Sequence, residues 1–312
     1  MNRLIFSLVL IPFFLGGCNR GSQESSHSLV AGELTVELTV ATDRLEKKFN
    51  QRFDRSAQVR AITWEGETML GVSGLPDEFG LNGLGILGFD EAKAPKGQFL
   101  KIGFGRLIRD AADPYVFWRA WPVAERSKTR LLSQAATSLT VSSSQSLGQW
   151  GYSLTKTYTV SSTPTATLEI QYELKNTGKA EFSFDHYNHN FFVAPQGGDS
   201  SLLIVNTKPE LPFTPKENWR RLAMGWRLAP ERPEGTGGYF ELGLIPPQDF
   251  NFILSNEGGS ARVIIQPNFK PFHAAVWADS ATVCPEVFYR ATLTSGETTK
   301  WGVSYLFPRA RR

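Results

Sequence analysis

The chain has 312 residues, with 33 Lys and Arg against 30 Asp and Glu, four His and only two Cys. Two cysteines exclude a disulfide-rich scaffold, and the near-balanced charge gives no reason to expect a nucleic-acid partner. The terminal "RARR" reads as a small solvated basic tail.

The N-terminus reads "MNRLIFSLVLIPFFLGGC". Arg3 supplies a positive start, and Leu4 to Phe14 form an apolar run of about eleven residues, the length of a signal-peptide core and too short to span a bilayer comfortably. The "LGGC" that follows resembles a bacterial lipobox. That resemblance implies a signal peptide over 1–17, cleavage before Cys18 and lipidation of its sulfur. The expected product is an exported, membrane-anchored lipoprotein, facing the periplasm or the cell surface. An ordinary secretory signal with an incidental cysteine is the alternative. Residues 18–30 continue as "CNRGSQESSHSLV", poor in large apolar side chains, and are expected to be a lipidated Cys and flexible tether. A lipidated Cys18 leaves Cys284 without a disulfide partner, so residues 31–312 must hold together through their core, as one domain. Export also argues against nucleic acid.

Period-two alternation then recurs along the chain. "ELTVELTV" puts Leu34, Val36, Leu38 and Val40 on one face, and "ATLEIQYEL" does so with Leu168, Ile170, Tyr172 and Leu174. "KWGVSYLF" repeats the pattern with Trp301, Val303, Tyr305 and Phe307. "SLLIV", "NFILS", "ARVIIQ" and "HAAVWA" are further strand candidates. Strands of this kind bury one face and wet the other. Turn signals such as "NTGK", "SNEGG" and "TSGE" separate them. "DRLEKKFNQRF" can hold a helical turn or two, and no long amphipathic helix is evident. The predicted class is all-β, with two stacked sheets.

Two motifs are misleading. "GLGILG", Gly83 to Gly88, matches G-x-G-x-x-G, but dinucleotide binding needs that motif between a strand and a helix. Here "FDEAKAPKG" follows, so a flexible loop is expected. His186 and His189 in "FDHYNHNFF" have the spacing of a metal pair on a helix. On a strand they point to opposite faces, and the sequence offers no cysteine or carboxylate cluster to complete a site. No metal and no cofactor are expected. No G-x-S-x-G elbow supports a serine nucleophile, and Cys284 sits in no motif.

The segment "LTKTYTVSSTPTATLEIQYELKNTGKAEFSFDHYNHNFF" resembles the middle of the galactose mutarotase (aldose 1-epimerase) superfamily, where an N-T-G turn leads to an Asn-His followed by aromatics. Asn188-His189-Asn190-Phe191-Phe192 stands at that place. "CPEVFYRATLTSGETTKWGVSYLF" resembles the family's ending, with Glu286 ahead of the "LTSGE" turn. "RFDRSAQVRAITWEGETMLG" resembles its opening hairpin. The resemblance implies a large antiparallel β-supersandwich, galactose mutarotase-like, whose concave face holds a carbohydrate. It implies His189 as the acid and Glu286 as the base of sugar ring opening, from opposite sides of the ring. The family's second, upstream histidine has no counterpart between His27 and His186. Lys101 and Arg106, with Arg109 near them, are the cationic substrate-binding candidates in that region, and His186 is a further one. Trp118, Trp121 and Trp219 are candidates to stack on a sugar. Two functions stay open: an aldose 1-epimerase-like isomerase, or a non-catalytic carbohydrate-binding lipoprotein using the same face.

Overall fold

A computed structural model describes residues 24–41, 51–194, 203–211, 218–229, 237–242, 245–256, 258 and 260–309. The signal segment, Cys18 and most of the "DRLEKKFNQRF" stretch lie outside the described residues. Among those described there are strands and no helix, and every named pairing is antiparallel.

The largest sheet has ten strands. From one edge they run Lys128–Ala135, Ser138–Leu147, Trp150–Ser161, Ala166–Asn176, Thr298–Phe307, Ala261–Pro267, Asn251–Ser255, Ile204–Lys208, Gly225–Leu228 and Trp219–Leu222. Its middle strands carry the predicted alternation. Leu168, Ile170, Tyr172 and Leu174 are buried on Ala166–Asn176, and Trp301, Val303, Tyr305 and Phe307 on Thr298–Phe307. Ala166 pairs with Phe307, and the register holds to Lys175 opposite Thr298, so the two apolar stripes face the same way. "NFILS", "ARVIIQ" and "HAAVWA" are strands as expected.

A five-stranded sheet packs over this face. Its order is Gly238–Glu241, His273–Ala278, Val283–Leu293, Phe182–Asn188 and Asp77–Phe79. Phe184, Phe182 and Val287 join Trp301, Tyr172 and Tyr305 in the main apolar core. A four-stranded sheet, Ile86–Leu87, Gly97–Lys101, Gly105–Arg109 and Val123–Arg126, carries a second, aromatic core of Phe89, Phe99, Phe104 and Trp121. The "GLGILG" stretch turns into this sheet and supplies its strand Ile86–Leu87, with Gly83, Gly85 and Gly88 all at positive φ, a conformation that glycine adopts without penalty.

The flexible tether needs correction over residues 24–30. Glu24–Ala31 is a strand, paired residue for residue with Leu34–Ala41. Its apolar end is anchored, since Leu29 and Ala31 are buried in the main core. Its polar end is held by side-chain bonds: His27 lies 2.8 Å from both Ser25 Oγ and Gln134 Oε1. Composition suggested a solvated segment; backbone pairing supplies the ordering that composition does not reveal.

Candidate active site

Three strands, Val283–Leu293, Phe182–Asn188 and Asp77–Phe79, place one row of side chains on the outer face of the five-stranded sheet. On Val283–Leu293, residues of even number share that face, and the pairing of Asp185 with Arg290 sets the neighbours. Arg290 holds Asp185 through two bonds of 2.6 and 2.7 Å. Phe288 stacks on Tyr187, with ring centroids 4.2 Å apart. One step further along, Glu286 meets His189, with Oε1 2.8 Å from Nδ1. Cys284 follows, its Sγ 3.4 Å from the same Glu286 oxygen.

Glu78 completes the group from Asp77–Phe79, where it sits opposite Tyr187. It is fully buried and accepts from His189 Nε2 at 2.7 Å, Tyr187 Oη at 2.5 Å and Arg52 Nε at 2.8 and 3.0 Å to its two oxygens. Both imidazole nitrogens of His189 therefore face carboxylates. Burial works against a charge on this ring, but Glu286 and Glu78 outweigh it and raise the His189 pKa above its ordinary value. Burial likewise opposes the charge on Glu78, and His189 with Arg52 and Lys101 still holds its pKa below the ordinary carboxylate value. The arrangement is an imidazole held between two carboxylates, both of which favour its charged form.

Lys101 ends the strand Gly97–Lys101 with its side chain buried, and its Nζ donates to Tyr115 Oη at 3.2 Å. Burial lowers its pKa to about 8, against the pull of Glu78. Arg52 lies over the Phe117 ring at 4.5 Å. Three cationic side chains, Arg52, Lys101 and His189, thus surround two carboxylates.

The expected site residues divide as follows. His189 and Glu286 are brought together, as neighbours on one wall and not from opposite sides. Lys101 joins them through the field of Glu78. Arg106 does not: it pairs in register with Leu100, one residue out of step with Lys101, and forms an ion pair with Glu125. Arg109 is spent on the carbonyls of Phe89, Ala92, Ala112 and Asp113. His186 is corrected from the sugar face to the interior. Its Nδ1 accepts from Trp301 Nε1 at 2.9 Å, and its Nε2 is 3.2 Å from Asp77. Strand alternation sends it to the side opposite Tyr187. Among the three tryptophans, Trp121 and Trp219 are buried in cores, whereas Trp118 is 72% exposed.

The expectation that no cysteine or carboxylate clusters with a histidine also fails. His189, Cys284 and Glu286 offer ligand atoms within 4.8 Å of one another. Cys284 and Glu286 are two apart on one strand, so they share a face, a pattern legible in "CPE" once the strand is known. The set has donors suited to a divalent ion. Burial beside Glu286 raises the Cys284 thiol well above its usual pKa, which favours its protonated form.

Arg52, Glu78, Tyr115 and Tyr187 are site residues that the sequence did not single out. "LPDEFG" carried a usable signal: adjacent carboxylates on a strand face opposite ways. Asp77 accordingly points inward, where Tyr172, Asn188 and Lys156 bond it at 2.7, 2.5 and 2.8 Å.

No family model matches the chain, and no curated relative matches it. Solved structures do. A galactose mutarotase related enzyme from Lactobacillus acidophilus aligns with a TM-score of 0.56 at 11% identity, covering 91% of this chain and 98% of that one. A galactose mutarotase-like protein from Lactobacillus casei gives 0.54 at 10% identity, over 90% and 99%. Another from Clostridium acetobutylicum gives 0.54 at 12%, over 89% and 93%. The fold is therefore the galactose mutarotase-like antiparallel β-sandwich, as the sequence resemblance implied.

Proposed function

We propose that this is a carbohydrate-active, aldose 1-epimerase-like protein that interconverts the anomers of a hexose or hexose derivative. The carrying observation is the 2.8 Å contact between His189 Nδ1 and Glu286 Oε1 on the outer sheet face. Ring opening removes a proton from the hydroxyl on C1 and delivers one to the ring oxygen. Both oxygens are bonded to C1, so acid and base must both reach one end of the ring, and His189 and Glu286 lie side by side. Glu286 takes the hydroxyl proton, His189 protonates the ring oxygen, and the C1–ring oxygen bond breaks to give the open-chain aldehyde. Rotation about C1–C2 and reclosure return both protons and leave the other anomer. Glu78 supports the acid by keeping the imidazole charged and fixing its plane. No cofactor enters these steps.

Anomer exchange of glucose, galactose and their uronic or phosphorylated relatives, followed by exchange NMR, tests the reading. Glu286→Gln is expected to cost on the order of 100-fold or more in rate while sugar binding persists. Wild-type protein that binds sugars and accelerates no exchange would sink the enzyme reading.

The second reading is a non-catalytic carbohydrate-binding protein. It is favoured by Arg106, which turns away to Glu125 and leaves the region of the missing histidine with Lys101 as its site cation. In either reading we propose export and a lipid anchor at Cys18, resting on "LGGC". Cys18→Ser is expected to move the protein from the membrane fraction to the soluble one; unlipidated wild type would refute the anchor.

A further inference from the structure

Glu24, where the first strand starts, stands six residues after Cys18, a stretch that reaches at most about 22 Å even when fully extended. An anchor at Cys18 therefore holds Glu24 within that distance of the lipid. The strand beside it is the edge of the ten-stranded sheet, Lys128–Ala135. His27 Nδ1 lies 2.8 Å from Gln134 Oε1, and the Val30 amide donates to the Ala136 carbonyl at 2.9 Å. The two contacts advance in the same sense along both strands, so Glu24–Ala31 and Lys128–Ala135 run side by side. Stepping back from His27 to Glu24 leads back from Gln134 towards Leu131 and Lys128.

We propose that this pair of strands is the face the protein lays against an anionic lipid surface, with Lys128 and Arg130 on the headgroups and Val30, Leu131 and Leu132 at the boundary with the acyl chains. The inference rests on the reading of Cys18 as a lipid anchor and goes beyond it by naming the face and the charge of the lipid. Apolar exposure is the first argument. Seven large apolar side chains stand exposed among the described residues, and three of them fall on these two strands: Val30 at 46%, Leu131 at 43% and Leu132 at 55%. Single exposed apolar residues need no explanation, but three on adjoining strands beside the anchor point do. The pairing with Ser138–Leu147 shifts register between Leu131 and Ser133, so Leu132 sits at a bulge and two leucines in succession stand in solvent.

Charge is the second argument. From Arg126 to Leu168 the sequence contains no Asp or Glu, although acids and bases are nearly balanced over the whole chain. That run supplies the edge strand and its next two neighbours, Ser138–Leu147 and Trp150–Ser161. Lys128 and Arg130 are exposed on the edge itself. Further cations gather at the start of the first strand. Burial lowers the Arg55 pKa, and the charges of Glu24 and Arg60 act on it in opposite directions, so Arg55 lies within reach of both. Burial, and then the charge of Arg55, hold the Arg126 pKa down at about 10. Glu125, the acid just ahead of the run, is taken up by Arg106. A second copy seated on this edge would bring like charges together, and the bulge already blunts the edge against strand pairing. A bilayer of anionic lipid answers both the charge and the apolar residues.

The test uses the chain from Cys18 onward made without lipid, which contains every described residue, so that docking is read apart from anchoring. Flotation compares its binding to vesicles of phosphatidylglycerol and phosphatidylcholine in equal parts with its binding to phosphatidylcholine alone. The expected result is binding at least about tenfold tighter to the anionic vesicles, since each basic residue near such a surface contributes about fivefold and two are exposed on the edge strand. In K128E/R130E that preference falls to about one. In L131S/L132S binding to the anionic vesicles weakens by about tenfold, the order expected for losing buried leucine surface. Both double variants keep the wild-type Tm, because all four side chains are exposed. Wild type with no preference for the anionic vesicles overturns the docking face and leaves the anchor standing, since the Cys18→Ser fractionation tests that separately. Binding unchanged in either double variant also overturns it. Self-association that L131S/L132S abolishes, seen by sedimentation without any vesicle binding, would assign the edge to a second copy instead.

Discussion

Lys156 is the buried cation of the interior, and replacing it with Met tests how this fold holds its site in place. Its Nζ lies 2.8 Å from Asp54 Oδ2 and 2.8 Å from Asp77 Oδ2, and it also donates to the Ala57 carbonyl. All three charged side chains are almost entirely buried. Lys156→Met keeps most of the aliphatic stem and deletes the charge. It leaves two carboxylates facing each other without a cation. Breaking a buried pair by removing one partner costs about 3–5 kcal/mol, because the remaining charge is uncompensated. For a chain of this size, one degree of Tm corresponds to roughly 0.6 kcal/mol, so Tm is expected to fall by about 5–8 °C. Urea unfolding monitored by tryptophan fluorescence reads the same loss as a lower midpoint at unchanged slope. Adding Asp54→Asn to Lys156→Met should recover part of the loss, since it removes one of the stranded charges. A cost for Lys156→Met below about 1 kcal/mol, or additivity of the two substitutions, would refute the reasoning.

Four further outcomes are expected. Glu78→Gln removes one of the two carboxylates that raise the His189 pKa. The acid form is then lost at lower pH, so the alkaline limb of the anomer-exchange profile moves down; an unmoved limb would show that Glu78 does not tune His189. Lys101 has a folded pKa of about 8 against an ordinary 10.5, so between those values the unfolded chain holds the extra proton. Stability conferred by this group therefore rises with pH across that window, and unfolding free energies in Lys101→Met should lose that rise. His189 contributes with the opposite sign, its raised pKa giving stability that is present at low pH and lost as pH rises through the folded value. Finally, burial beside Glu286 favours the protonated Cys284 thiol, a poor metal ligand, so chelator treatment should leave exchange unchanged; a rate that falls and returns with added zinc would make the His189–Cys284–Glu286 group a metal centre.

Much of the fold was legible because strand alternation is a local signal. "ATLEIQYEL" and "KWGVSYLF" each declare a buried face, and their pairing follows from two such stripes needing one core. The site was legible only in part. His189 and Glu286 came from the family-like segments around them. Glu78 did not, because its role depends on a three-residue strand settling beside Phe182–Asn188, which puts it against Tyr187 109 residues away in sequence. Local pattern carries no information on such a choice of neighbour. Arg106 shows the complementary failure. A cation near the expected place looked sufficient, and a shift of one residue in strand parity sent it to Glu125 instead. Glu24–Val30 shows a third kind, a polar segment ordered by pairing with Leu34–Ala41, which its own composition does not reveal.

The strand pair formed by Asp77–Phe79 and Phe182–Asn188 separates two charge clusters, and the separation bears on the chemistry. Inside lie Lys156, Asp54, Asp77 and His186; outside lie Arg52, Glu78, Lys101, His189 and Glu286. Asp77 and Glu78 are consecutive, so the bonds that fix Asp77 from behind also fix the carboxylate that orients His189. In the outer cluster Arg52 can only donate hydrogen bonds, and Lys101 donates until it loses its proton near pH 8. Arg52 cannot exchange a proton with a sugar at neutral pH, whereas a lysine held near 8 can. The proposed proton transfer rests on the contact between His189 and Glu286, with Lys101 the other group of the cluster able to take part. Two readings of the protein then differ in a measurable way. A binding protein needs the cluster only for hydrogen bonding, so sugar affinity in His189→Gln should fall little beyond the loss of one bond. An epimerase needs the mobile proton, so the same substitution should remove exchange while affinity survives. Exchange that persists in His189→Gln would place the proton transfer on some other pair and end the role assigned to this one.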